Sequence, residues 1–192
     1  MKKFIFILTI AMSFIIPKFS WPEEQQGCLQ GVEFLTGFGR GDLKEKKDYR
    51  LIPFIVEFDF NLKSLTKKIG FNPPSLVQFQ IEPLLSLVTN PDSNMEVGTS
   101  FLFKFGLLPE SSKIQPYIKA GVGIIYISQH TLDQSTQYNF SSHFGAGFHY
   151  FFKKGRALSL EYRFRHLSNA GIKHPNSGID NHFCLLGITR LF

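Results

Sequence analysis

The chain has 192 residues, room for one domain and hardly for two. Hydrophobic residues make up 43% and charged residues 19%, which excludes both a disordered chain and a helical membrane protein. A net charge of +6 points to acidic partners, nucleic acid or anionic lipid, without choosing between them. The outlying residue is Phe, with 22 copies against one Trp, and that much Phe has to sit in a core or against lipid.

Met1-Lys2-Lys3 opens the chain, an apolar run from Phe4 to Ile16 follows, and Pro17 breaks it. A positive start, a short apolar run and a breaker describe a secretory signal peptide. The run is shorter than the roughly 20 residues of a spanning helix. Cleavage is expected after Ser20, which leaves 1–20 as signal and 21–192 as the mature chain. Lipoprotein processing at Cys28 is not expected, because Gln25-Gln26-Gly27 lack the small apolar residues it needs. No later stretch is apolar for long enough to be a transmembrane helix. Cys28 and Cys184 could pair in an oxidising compartment. One precedes the first strand and the other lies well inside the last, so pairing is not expected.

Beyond the signal, the sequence alternates. Ile52, Phe54, Val56, Phe58 and Phe60 interleave with Pro53, Ile55, Glu57 and Asp59. Val77, Phe79 and Ile81 interleave with Gln78, Gln80 and Glu82, and Phe101, Phe103 and Phe105 with Leu102 and Lys104. A period of two over such lengths means strands with one apolar and one polar face. The segments fall near 31–39, 49–61, 76–88, 95–107, 116–128, 138–152, 157–168 and 181–192. Turn-forming clusters separate them, among them Asn72-Pro73-Pro74, Asn90-Pro91-Asp92-Ser93 and Lys153-Lys154-Gly155-Arg156.

These strands predict an all-β fold, an eight-stranded antiparallel outer-membrane β-barrel. A soluble lipocalin-like barrel would also alternate. The strands, however, match the roughly 9–11 residues of a tilted spanning strand. Their polar faces carry Glu57, Asp59, Glu82, Lys104, Glu161, Arg163 and Arg165, a mixture suited to the lumen of a small membrane barrel. The last strand ends on Phe192, although Arg190 stands where an apolar residue would be more usual. With an even strand number and periplasmic termini, segments 40–48, 89–94, 129–137 and 169–180 lie outside the cell. The 62–75 connection is long for a periplasmic turn.

Strand seven carries the chemistry. Leu158, Leu160, Tyr162, Phe164, His166 and Ser168 share one face, and Ser159, Glu161, Arg163 and Arg165 the other. Arg at the lipid midplane costs about 2–4 kcal/mol, so the charged face is the lumen and His166 and Ser168 face lipid. Residues i and i+2 project in parallel, on the order of 6–7 Å apart, compatible with an imidazole serving a hydroxyl nucleophile. Such a base needs an acid on its other nitrogen, and Asp180 at the start of strand eight is the natural candidate. The competing role for two polar residues at this depth is simple membership of the interface.

The run His166-Leu-Ser168-Asn169-Ala170-Gly171, followed by Pro175-Asn176-Ser177-Gly178-Ile179-Asp180, resembles the signature of the lipid A 3-O-deacylase family (PagL-like, often labelled acyloxyacyl hydrolase). Weaker likeness extends through Pro116-Tyr117 and Gly145-Ala146-Gly147. The resemblance implies an outer-membrane serine esterase that removes the 3-hydroxyacyl chain at position 3 of lipid A. It implies Ser168 as nucleophile, His166 as general base and Asp180 as the orienting acid, where the family pattern has Glu. Asn169, Gly171 and Asn176 become candidates for the oxyanion hole or for fixing the loop, with turn formation the competing role of the two asparagines. Lipid A, or lipopolysaccharide, would be the partner; no cofactor, metal or nucleic acid is implied, and a homodimer stays open.

Lipid A is anionic, and Arg40, Lys44, Lys46, Lys47 and Arg50 are candidate phosphate ligands; Asp42, Glu45 and Asp48 dilute them, which favours a solvated loop. Neither the remaining histidines, His130, His143, His149, His174 and His182, nor the two cysteines have metal-site spacing. The competing class is a non-catalytic barrel: structural protein, adhesin or narrow channel. A calcium-dependent outer-membrane phospholipase needs more chain than this, and a different outer-leaflet ester remains a third option.

Overall fold

In the computed structural model, which describes residues 29–44 and 48–192, the alternation closes into a wall. Eight antiparallel strands bond in chain order and the last returns to the first. They are β1 (Leu29–Gly41), β2 (Tyr49–Asn61), β3 (Ser75–Asn90), β4 (Asn94–Pro109), β5 (Ile114–Ile127), β6 (Tyr138–Lys153), β7 (Arg156–Ser168) and β8 (Ile179–Leu191). The signal peptide, its cleavage point and Cys28 lie outside the described residues, and with Cys28 any pairing to Cys184.

Several strands run longer than alternation alone indicates, because closure supplies ladder partners near their ends. β1, for example, reaches Gly41 because Tyr49 flanks it on β2 and Asn181 on β8. The 62–75 connection is a structured cap. The side chain of Asn61 accepts the Lys63 N–H at 2.8 Å and starts a one-turn helix, α1 (Lys63–Thr66). A 3₁₀ turn (Lys67–Ile69) follows and Gly70 ends it with φ +80°.

The phenylalanines line the outside. Phe34, Phe54, Phe101, Phe103, Phe105, Phe140, Phe144 and Phe148 are all exposed on the barrel wall. In water such a surface would be an aggregation hazard; against acyl chains it is the solvent-matched face. The charges are inside. Arg163 forms a bidentate pair with Glu82 at 2.7 and 2.8 Å. Arg165 does the same with Glu96 at 2.7 and 3.0 Å. Lys119 bonds Glu161 at 2.7 Å and also contacts Glu57, while Lys104 reaches Glu33 at 3.2 Å. His143 and His149 belong to this interior, bonded to Ser141 at 2.9 Å and Ser159 at 2.8 Å respectively. These side chains fill the lumen and tie β7 across it to β3 and β4.

At the loop end the lumen turns apolar. Leu43, Leu51, Val88, Ile127, Leu167 and Ile179 cluster there. Strand seven is thus held from within at every second residue, and the alternate residues are presented outward on a rigid frame.

Candidate active site

Because Arg163, Arg165 and Leu167 are buried in the lumen, His166 and Ser168 are carried on the outer wall. The ladder sets His166 directly opposite Asp180 on β8. Directly opposed residues have Cβ atoms close enough for short side chains to meet. Here the imidazole Nδ1 lies 2.6 Å from the Asp180 carboxylate, a charge-assisted hydrogen bond. With Nδ1–H donated to Asp180, Nε2 keeps the lone pair that a base needs. His166 Nε2 makes no hydrogen bond among the described residues. Asp180 lies inside β8, its second residue, and the ladder fixes it there.

Gly178 completes the support. Its φ is +79°, and a Cβ built on it would come within 2.5 Å of His166 Cε1. The glycine in the Pro-Asn-x-Gly run therefore leaves the space that the imidazole ring fills. Sequence reasoning quoted this glycine as part of a motif and gave it no role; the signal was present in the motif itself.

Ser168 ends β7, two residues beyond His166 on the same face and opposite Phe140 of β6. Its hydroxyl makes no hydrogen bond among the described residues, so the imidazole and hydroxyl share a face without being joined. A second hydroxyl was missed. Ser142 of β6 stands directly across from His166 on the side away from Asp180. Only the register reveals it, and register is not written in one strand. Ser142 lies within a regular ladder, whereas the chain turns left-handed just after Ser168, at Ala170 (φ 54°) and Gly171 (φ 79°).

Asn169 is fully buried and its bonds define that turn. Its Oδ1 accepts the Gly171 N–H at 3.0 Å, and its Nδ2 donates to the Lys173 carbonyl at 2.7 Å. Asn176 Oδ1 accepts the Asn169 N–H at 3.0 Å. Asn169, Gly171 and Asn176 are therefore brought together, and the bonds they make fix the loop. The Ala170 N–H makes none among the described residues, and it lies two residues past Ser168. The neighbouring loop braces the turn: the Ser135 N–H bonds the Pro175 carbonyl at 3.0 Å, and the Ser177 N–H the Asp133 carbonyl at 2.8 Å. Lys44 reaches the same place, its backbone N–H on Asp133 at 3.0 Å and its ammonium on Ser177 at 2.5 Å. No pattern in the sequence marks Asp133 or Ser135 as supports, since their contacts cross between loops.

Comparison with known proteins shows the family. The profile of the lipid A 3-O-deacylase (PagL) family matches residues 59–189. The chain belongs to that family. The match runs from the middle of β2 almost to the end of β8, so it covers strand seven, its turn and the position of Asp180. The lipid A deacylase PagL of Pseudomonas aeruginosa is 34% identical over 85 residues, 43% of this chain and 44% of that protein. The matched stretch thus spans less than half of the relative's length. Among solved structures, the outer membrane enzyme PagL superposes with a TM-score of 0.61 at 17% identity, covering 81% of this chain and 97% of that one. Neisserial surface protein A superposes equally well, with a TM-score of 0.62 at 10% identity over 84% of this chain and 96% of that one. At such identities the superpositions carry the fold alone. What separates this 3-O-deacylase family member from other small barrels is the family match over residues 59–189.

Proposed function

We propose that this barrel resides in the bacterial outer membrane and hydrolyses the ester of the 3-O-linked 3-hydroxyacyl chain of lipid A. Ser168 is the nucleophile, His166 the general base and Asp180 the acid that orients it. The observation that carries the reading is the 2.6 Å His166–Asp180 bond on the outward wall, with Ser168 on the same face. A soluble substrate would not reach a base set there; a lipid of the outer leaflet lies against it.

The Ser168 hydroxyl attacks the acyl carbonyl carbon and its proton passes to His166 Nε2. Negative charge collects on the carbonyl oxygen, and the uncommitted Ala170 N–H is the donor nearest in sequence to receive it. An oxyanion donor is typically worth about 2.7–4 kcal/mol. Collapse expels the sugar oxygen, which takes the proton back from His166. Water, activated by the same imidazole, then releases the 3-hydroxy fatty acid from Ser168. All of these groups come from one barrel, so a single copy suffices.

The test is mass spectrometry of lipid A from cells that express the wild type or Ser168→Ala. The expected result is loss of one 3-hydroxyacyl chain with the wild type and none with the variant. Intact lipid A in both refutes the reading, while a changed phospholipid would redirect it to another outer-leaflet ester. The rival reading as a narrow channel runs against a lumen packed with Arg163, Lys104, Lys119 and their carboxylates, all nearly inaccessible.

A further inference from the structure

The outer wall beside the His166–Asp180 pair holds a groove of about 560 Å³, running across β7, β8, β1, β2 and the end of β3. Phe38 and Ile52 give it apolar sides, and the Tyr162 hydroxyl meets His182 Nδ1 at 2.6 Å beside them. Two arginines flank it. Arg40 and Arg50 are directly opposed across β1 and β2, and Arg40 is also opposite His182 of β8. Alternation puts both guanidiniums on the outward wall, where the side chains are 73% and 62% exposed. They share one carboxylate: Asp48 lies 2.6 Å from Arg50 and 3.4 Å from Arg40. Among the described residues, one unit of positive charge is left over from this trio, directed outward beside an apolar trough.

Arginine on a lipid face is unfavourable in mid-membrane and nearly free at the interface, so position alone does not forbid the pair. Interfacial position does not explain its pairing, its sharing of one acid, or the groove between it and β7. A guanidinium pair presents parallel N–H groups that match the oxygens of a phosphate. By strand spacing, Arg40 and His166 have their Cα atoms on the order of 10–12 Å apart, two strands and one side-chain row. The long Arg side chain shortens that to the span of a disaccharide headgroup.

Resting on the deacylase reading, we infer that Arg40 and Arg50 bind a phosphate of the lipid A headgroup, with the groove beside them receiving an acyl chain, so that the 3-O-ester comes to Ser168. The loop residues between them need not take part; the strand ends carry the site.

Binding is measured on the Ser168→Ala protein in detergent micelles, so that turnover plays no part. The probes are lipid A with its phosphates and lipid A stripped of them. Each is tested against the parent, Arg40→Gln, Arg50→Gln and the double variant, all checked for barrel folding by heat-modifiable gel mobility. The expected result is a 10- to 100-fold weaker Kd of the double variant for phosphorylated lipid A, falling to the value for stripped lipid A. The single variants should fall between. An unchanged Kd, or an equal loss for both lipids, overturns the assignment. Inorganic phosphate that displaces lipid A at millimolar concentration would make this a free-anion site and overturn it as a headgroup site. Because the readout is binding, failure of the wild type to deacylate lipid A sinks the deacylase reading separately.

Discussion

Gly178 is packed against the imidazole of His166 so closely that a Cβ on the glycine would sit 2.5 Å from Cε1 and 3.2 Å from Nε2. The imidazole is therefore held by the Asp180 carboxylate at Nδ1 and by a bare backbone against Cε1. Gly178→Ala should displace the imidazole and also strain a φ of +79° that Ala adopts poorly. A displacement near 1 Å costs roughly 100-fold in rate. The expected outcome is a kcat about 10- to 100-fold lower on lipid A with little change in KM. Wild-type kcat in a folded G178A barrel would show that the ring has room to spare.

Two hydroxyls stand near the imidazole, and the backbone around them differs. Ser168 stands at a strand end followed by a left-handed turn with an uncommitted N–H, and Ser142 stands inside a continuous ladder without such a donor. Ser168→Ala should lower kcat/KM by at least about 10³-fold, in line with loss of a serine nucleophile. Ser142→Ala should stay within about 3-fold, since a cross-strand neighbour supplies no reacting atom. Steady-state deacylation by both variants checks this, and the reverse ordering would transfer the nucleophile to β6.

The barrel was legible because the period of two is written into each strand, and Phe against Glu, Lys and Arg shows which face is which. Strand seven placed its own residues correctly for the same reason. What could not be read was everything that depends on register or on contacts between loops. Asp180 was proposed from its place at the start of strand eight and from the motif, yet its contact with His166 exists because the ladder sets those two residues opposite each other. Ser142 was invisible for want of that register. The bracing of the Asn169 turn by Ser135 and Asp133 was invisible because no periodicity links segments 129–137 and 169–178.

The same register lets the short side chain of Asp180 reach the imidazole. Directly opposed to His166, Asp180 reaches Nδ1 at 2.6 Å with no length to spare or to fill. Asp180→Asn should cost on the order of 10²–10⁴ in kcat, because the amide no longer stabilises the imidazolium or enforces its tautomer. Asp180→Glu keeps the charge but must fold an extra methylene between strands, and should cost about 10-fold through misorientation. Parallel kcat measurements on the two variants test this. Full activity in D180N would remove Asp180 from the triad.

A buried ion pair lies directly behind the site. Arg165 immediately precedes His166 and points the other way, into the lumen, where Glu96 takes both of its terminal nitrogens at 2.7 and 3.0 Å. The Asn181 side chain at 2.7 Å completes its bonding, and Tyr49 donates to Glu96 at 2.8 Å. Glu96→Ala leaves a buried guanidinium with one amide for a partner. Stranding such a charge costs about 3–5 kcal/mol, which urea unfolding of the detergent-solubilised barrel would resolve. Replacing both partners, as in Glu96→Ala with Arg165→Met, should recover most of that loss, since the penalty comes from the unpaired charge and not from absence of the pair. The folded fraction of the double variant should deacylate at close to the wild-type kcat, because the outward face of β7 is still fixed by the ladder and by Arg163 on Glu82. A double variant as unstable as Glu96→Ala alone would mean that the ion pair itself, and not its completeness, holds strand seven in place.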